Sequence, residues 1–406
     1  MTIAAFRRLL LAQAAAYVGT MVTGVTVPVQ VYALSHSSWY VGLTGLAALL
    51  PIMVFGLYGG AVADRVDRRL LYLSASAATW LITLALLAQA LADLRSVPFI
   101  LVLVSGQAAA FAVSSASRGA IIPRIVPSGM IPAANTLYFT VGNVGQVVGP
   151  LFAGILLALP GGFAWAYGVD AVLFTLLLYS AYRLPAVPPL DTLSARGGLR
   201  SVWDGLRFIG ANPVLWMSFA LDVAAMVLAM PTAVFPQAAN SRFHGGVGLL
   251  YASIAIGSLA AGLFSGWIAK VRRQGIALAA AVAGWAAAVG LAGTTYSLWG
   301  AATLLACAGA ADLVSAVYRE TILQTYAPDS MRGRLQGVFT VVVAGGPRLG
   351  DLRAGAMAAT MGLGMAWSGS AFLCLVLVLA TAVLVRPFWR YDAGSKRHGS
   401  SPTGNS

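Results

Sequence analysis

The chain has 406 residues, of which 59% are hydrophobic and only 9% charged, with a formal net charge of +13. Soluble domains carry about 25% charged residues as a solvated shell, so a water-soluble enzyme is excluded and a polytopic membrane protein is indicated. The basic residues form short clusters between apolar runs, which argues against nucleic acid as partner, and the two cysteines and three scattered histidines offer neither a disulfide framework nor a metal-ligand set.

A helix needs about 20 apolar residues to cross the hydrocarbon core. A window of that length finds twelve candidate spans, at 8–33, 40–63, 70–91, 97–122, 133–159, 163–184, 213–238, 247–269, 275–296, 298–325, 336–360 and 364–386. The first begins after Arg7 and Arg8 and is too long for a signal-peptide core, so it is expected to stay as a spanning helix. The second ends in Gly59-Gly60-Ala61-Val62-Ala63-Asp64-Arg65, followed by Asp67, Arg68 and Arg69. The fourth carries Ser105-Gly106-Gln107 and ends near Arg118 and Arg124, and the fifth contains Gly145, Gly149-Pro150 and Gly154. After the sixth span the chain runs through Pro185, Pro188, Pro189, Arg196, Gly197 and Gly198 to Asn212-Pro213. This is a linker whose second half, 199–209, is amphipathic and suited to the membrane surface.

With the N-terminus inside, nearly all Lys and Arg fall on the inner side and only Arg95 and Arg242 on the outer, which fits the positive-inside rule and places both termini in the cytoplasm. The halves flanking the linker repeat. A shift of 206 residues aligns Val41-Gly42-Leu43 with Val247-Gly248-Leu249. A shift of 201 aligns Arg118 with Arg319, and Gly145, Gly149 and Gly154 with Gly346, Gly350 and Gly355. The expected organisation is therefore an all-α membrane protein of two parallel six-helix repeats. Its parts are an N-terminal bundle over 1–184, a cytoplasmic linker over 185–212, a C-terminal bundle over 213–390 and a polar, disordered tail over 391–406.

Gly60, Asp64, Arg65, Arg68 and Arg69 stand in register with motif A of the major facilitator superfamily, which the chain resembles, although Asp67 stands where that motif usually has Gly. In the superfamily this motif locks the outward-facing state. Gly145, Gly149, Pro150 and Gly154 resemble its motif C, associated with antiporters and suited to a hinge. Within the superfamily the chain resembles the enterobactin-exporter-like branch over nearly its whole length. The resemblance is carried by Pro28-Val29-Gln30-Val31-Tyr32, by Asp222 with Met230-Pro231 and Phe235-Pro236, and by Arg319-Glu320-Thr321-Ile322-Leu323-Gln324. It implies export of a siderophore-like metabolite or drug by proton antiport, with the halves rocking around a midplane site. The expected setting is a monomer in a bacterial inner membrane, with lipid, protons and a small molecule as partners and no cofactor beyond the proton gradient. Uptake of a metabolite is the second reading. A membrane enzyme or scramblase is the third, and no nucleophile, base and metal constellation in the spans supports it.

Ionisable groups inside a membrane default to functional candidates. Asp222, near the midplane of the seventh span, and Asp170, in the sixth, are the candidates for proton coupling. Arg348 and Asp351 form an i, i+3 pair, which leaves Arg353 as the cation expected to meet an anionic cargo, with Asp170 as its alternative partner; all three residues are candidates for substrate binding. Arg118, Arg319 and Glu320, at inner helix ends, are expected to form gating ion pairs. The bland alternative for all these groups is that acids and bases pair across helices and hold the bundle together.

Overall fold

A computed structural model describes residues 2–63, 66–185, 199–271, 273–328 and 331–384. The first half is α1 (Thr2–Ser35), α2 (Ser38–Ala63), α3 (Arg68–Leu91), α4 (Val97–Ile125), α5 (Ile131–Leu157) and α6 (Gly162–Tyr182). A short helix, α7 (Leu199–Gly210), lies in the predicted linker and packs on later helices of the chain. The second half is α8 (Pro213–Leu228), α9 (Phe235–Ser241), α10 (Val247–Leu263), α11 (Gln274–Ala292), α12 (Leu298–Tyr326), α13 (Arg332–Met361) and α14 (Ser370–Leu384). Residues 186–198 of the linker and the tail at 391–406 lie outside the described residues.

Among the described residues nine helical spans are long and apolar enough to cross a membrane, and Val247–Leu263 and Met365–Thr381 are shorter apolar helices. The thirty-residue α13 completes the set of twelve predicted spans. Its Arg348, Asp351 and Arg353 explain why it is the most polar of them.

Local chemistry sets the helix ends. Asp67, the departure from motif A, caps α3 by accepting from the Arg69 N–H at 2.8 Å. Ser96 and Ser297 cap α4 and α12 in the same way. Gly161 and Gly246 take left-handed backbone at φ of 69° and 72° where α6 and α10 begin.

The seventh span is not the single helix expected over 213–238. It stops at Leu228, makes a 3-10 turn at Thr232–Val234 and resumes as α9. Pro231 is the cause, because its ring has no N–H to donate and clashes with the carbonyl four residues back, that of Val227.

The halves meet at the end of the bundle away from Thr2, where α2 packs on α13 and α5 on α10. Ser38 Oγ donates to Gln237 Oε1 across this junction at 2.7 Å. Both seams are made by glycine. A Cβ on Gly42 would lie 3.1 Å from the Gly355 Cα, one on Gly154 3.1 Å from the Gly248 Cα, and one on Gly248 would strike the Pro150 carbonyl. A forced side chain there costs about 1–3 kcal/mol. Cysteines placed by Ser38→Cys and Gln237→Cys should therefore cross-link readily in the otherwise native chain and poorly once Gly248→Val is added. Unchanged cross-linking would show that the seam tolerates a side chain.

Candidate substrate cavity and the charges around it

A cavity of about 270 Å³ is walled by α1, α2, α3, α4 and α6 of the first half, with Arg348 of α13 reaching it from the second half. Its lining mixes apolar surface at Met21, Phe111 and Phe174 with polar groups at Tyr17, Gln107 and Arg118, and it contains two arginines and no carboxylate. Gly145 lets the Tyr17 ring into place, since a Cβ there would lie 2.5 Å from Tyr17 Cδ1. Arg118 donates to Ser115 Oγ at 3.4 Å, and its guanidinium sits 4.9 Å from the Tyr138 ring centroid. The polar wall of α1 has a sequence signal that residue-by-residue reading missed. Gln13, Tyr17, Thr20 and Gly24 recur at helical spacing and all line the cavity.

Directly behind this wall sits Asp170, 1% exposed. Its Oδ2 accepts from Thr23 Oγ1 at 2.6 Å and from Thr83 Oγ1 at 3.4 Å, and Gln107 Nε2 donates to Thr83 Oγ1 at 3.4 Å. Thr23 and Gln107 themselves line the cavity, so two side chains join it to the acid. The other carboxylate oxygen, Oδ1, is buried without a hydrogen-bond partner, packed towards Gly19 of α1.

The second half deals with its charges differently. Asp222 forms a buried ion pair with Arg319 of α12, whose guanidinium lies 5.9 Å from the Phe339 ring. This corrects one expectation: Arg319 is a core residue, 4% exposed, rather than a group at a helix end. Glu320 accepts from Gln324 Nε2 at 2.9 Å, one turn along its own helix. Arg118, Arg319 and Glu320 are thus not brought together.

Arg353 is not bare, and it is not paired with Asp170. Its Nε donates to the Val227 carbonyl at 2.8 Å, one terminal nitrogen to that of Met230 at 3.0 Å, and the other to that of Ala366 at 2.9 Å and to Ser370 Oγ. The Val227 carbonyl is the one that Pro231 displaces. On the other side of the same break, Asp351 accepts from the Thr232 hydroxyl and the Ala233 N–H. Arg353 and Asp351 therefore cap the two ends of the broken span, and the expectation that Arg353 meets cargo gives way to this role. Of the three residues expected to bind substrate, only Arg348 lines the cavity.

Asp64 and Arg65 of the motif A stretch lie outside the described residues, and Gly60 is in the last turn of α2. Arg69 donates to the Tyr182 carbonyl and lies 5.9 Å from the Tyr182 ring, tying α3 to α6, while Arg68 has partners of its own. The motif C stretch divides its work. Gly145 and Gly149 bring α5 onto Tyr17 and Met21 of α1, and Pro150 and Gly154 bring it onto α10.

Among the described residues, apolar helical spans in two repeats and a cavity with cations in its wall are the arrangement of a membrane transporter of the major facilitator fold. Among solved structures the chain resembles an inward-facing, unoccupied bacterial homologue of the human lysosomal transporter Spinster, at TM-score 0.71 and 18% identity over 96% of both chains. It also resembles the nucleoside transporter NupG, at TM-score 0.73 and 14% identity over 94% of this chain and 99% of that one. The sequence matches the family described as transmembrane secretion effector over residues 1–403, and the chain belongs to that family. It is 32% identical to the enterobactin exporter EntS of Shigella boydii over 94% of this chain and 92% of that one, and 32% identical to that of Shigella flexneri over the same shares.

Removing the clamp leaves backbone carbonyls unpaired, at about 1–3 kcal/mol for each buried group. Arg353→Met should therefore lower the thermal unfolding midpoint in detergent well below that of Arg348→Met, although both lose one charge from α13. Equal midpoints would remove the capping role.

Proposed function

We propose that this protein exports a small amphipathic compound across a bacterial inner membrane in exchange for protons, its two halves rocking about the cavity. The relatives named as enterobactin exporters support the direction of transport, and the mixed polar and apolar lining suits an amphipathic cargo. With the basic end and both termini in the cytoplasm, as the positive-inside rule favours, the glycine seams lie on the outer side and the present form is closed to the exterior. In this reading the chain acts as a monomer, motif A around Asp64 locks the opposite form, and 185–212 tethers the N-terminal bundle to the C-terminal one.

The observation that carries the coupling is Asp170. It is a buried carboxylate with no basic partner among its described contacts, and Thr23 connects it to the cavity. Loading a proton removes its charge from the bundle and releasing the proton restores it, so cargo arriving beside Thr23 competes with the proton through one hydrogen bond. Asp222, the other candidate, is held by Arg319 and serves the core of the second half instead.

In proteoliposomes, Asp170→Asn should abolish accumulation of cargo driven by a pH gradient while keeping exchange of labelled for unlabelled cargo without a gradient. Asp222→Asn should instead reduce folded yield. Gradient-driven accumulation at the native level in Asp170→Asn would refute the assignment. Uptake that runs down the cargo gradient regardless of pH would favour the metabolite-uptake reading.

A further inference from the structure

The two repeats treat one arginine position in opposite ways. Arg118 on α4 and Arg319 on α12 are equivalent by the 201-residue shift. Packing also aligns α1 with α8, because Gly145 meets Tyr17 where its repeat partner Gly346 meets Met226. The same offset carries Asp222 onto Gln13. In the second half the arginine therefore finds a carboxylate and is buried. In the first half the equivalent of that carboxylate is the neutral Gln13, which accepts from Tyr72 Oη at 2.9 Å, and Arg118 remains on the cavity wall with one long hydrogen bond and one ring contact.

Arg348 reaches the same cavity from α13. The acid one turn along its helix, Asp351, already accepts from Thr232 and Ala233 and also lies in the field of Arg353, so this part of α13 keeps a positive balance. A cation in a low-dielectric wall needs an anion or an array of hydrogen bonds, and neither Arg118 nor Arg348 has a carboxylate bonded to it among the described residues. The same lining carries Tyr17, Met21, Phe111 and Phe174.

We propose that the cavity binds an aromatic compound bearing two separated acidic groups, one engaged by Arg118 and the other by Arg348, with its ring against the apolar and aromatic wall. Because the arginines belong to opposite halves, such a ligand bridges them, whereas a single acid engages Arg118 alone. This rests on the export reading above, in that it names the class of cargo.

The test uses the full chain in nanodiscs of neutral lipid, where no lipid headgroup supplies a net anion, and two probes, naphthalene-2,6-dicarboxylate and 2-naphthoate, measured by titration calorimetry. The dicarboxylate should bind about tenfold more tightly than the monocarboxylate, the scale of one added charge-assisted contact. Arg348→Gln should erase that preference and leave the monocarboxylate unchanged, while Arg118→Gln should weaken both. If Arg118→Gln fails to fold, the Arg348→Gln comparison decides alone. Equal affinities in the native protein, no binding of either acid, or a preference that survives Arg348→Gln would overturn the proposal. Gradient-driven transport of a neutral amphiphile without binding of either acid would overturn this inference and leave the export reading standing. Binding as described with no transport of any compound would do the reverse.

Discussion

Inside a bilayer every backbone N–H and C=O must find a partner within the protein, and Pro231 makes that demand acute in the middle of the seventh span. The structure meets it from one neighbouring helix. Arg353 takes the carbonyls stranded before the break, and Asp351 takes the hydroxyl and N–H groups that restart the chain after it. The same guanidinium reaches Ala366 and Ser370 at the π-turn that opens the twelfth span. Three spans are thus fixed together by two side chains, and Arg348, one turn away on α13, is placed at the cavity by that anchoring.

The repeat shows how one architecture supports two chemistries. Corresponding glycines perform corresponding tasks: Gly145 and Gly149 seat α5 on α1 as Gly346 and Gly350 seat α13 on α8, and Gly154 and Gly355 each reach across to the other half. The charges break this symmetry. The second half pairs Asp222 with Arg319 and builds Asp351 and Arg353 into the backbone, whereas in the first half neither Asp170 nor Arg118 has an ion-pair partner among the described residues.

The spans, the six-plus-six organisation and the glycine registers were legible in the sequence because each depends on residues close together along the chain or on a regular shift. The function of the charges was not. Asp222 and Arg319 are far apart in sequence and meet only through the packing of α8 and α12. Arg353 appeared to lack a partner because its partners are main-chain carbonyls, which no residue type advertises; the available clue was Pro231, which predicts a freed carbonyl at Val227. Asp67 looked like a defect in a motif and proves to be a helix cap, an ordinary role for an aspartate just before a helix.

The glycine seams have a consequence for how firmly the two halves adhere. At the glycines, contact between α2 and α13 and between α5 and α10 is made by Cα atoms and carbonyl oxygens, so these points of closest approach bury little apolar side-chain area, the quantity that makes most protein interfaces adhesive. The Ser38 to Gln237 hydrogen bond across the junction is one that water replaces almost without loss. On the rocking reading proposed above, a junction that fits closely yet adheres weakly costs little to part. A small cost of that kind lies within reach of the modest differential affinity of one small ligand.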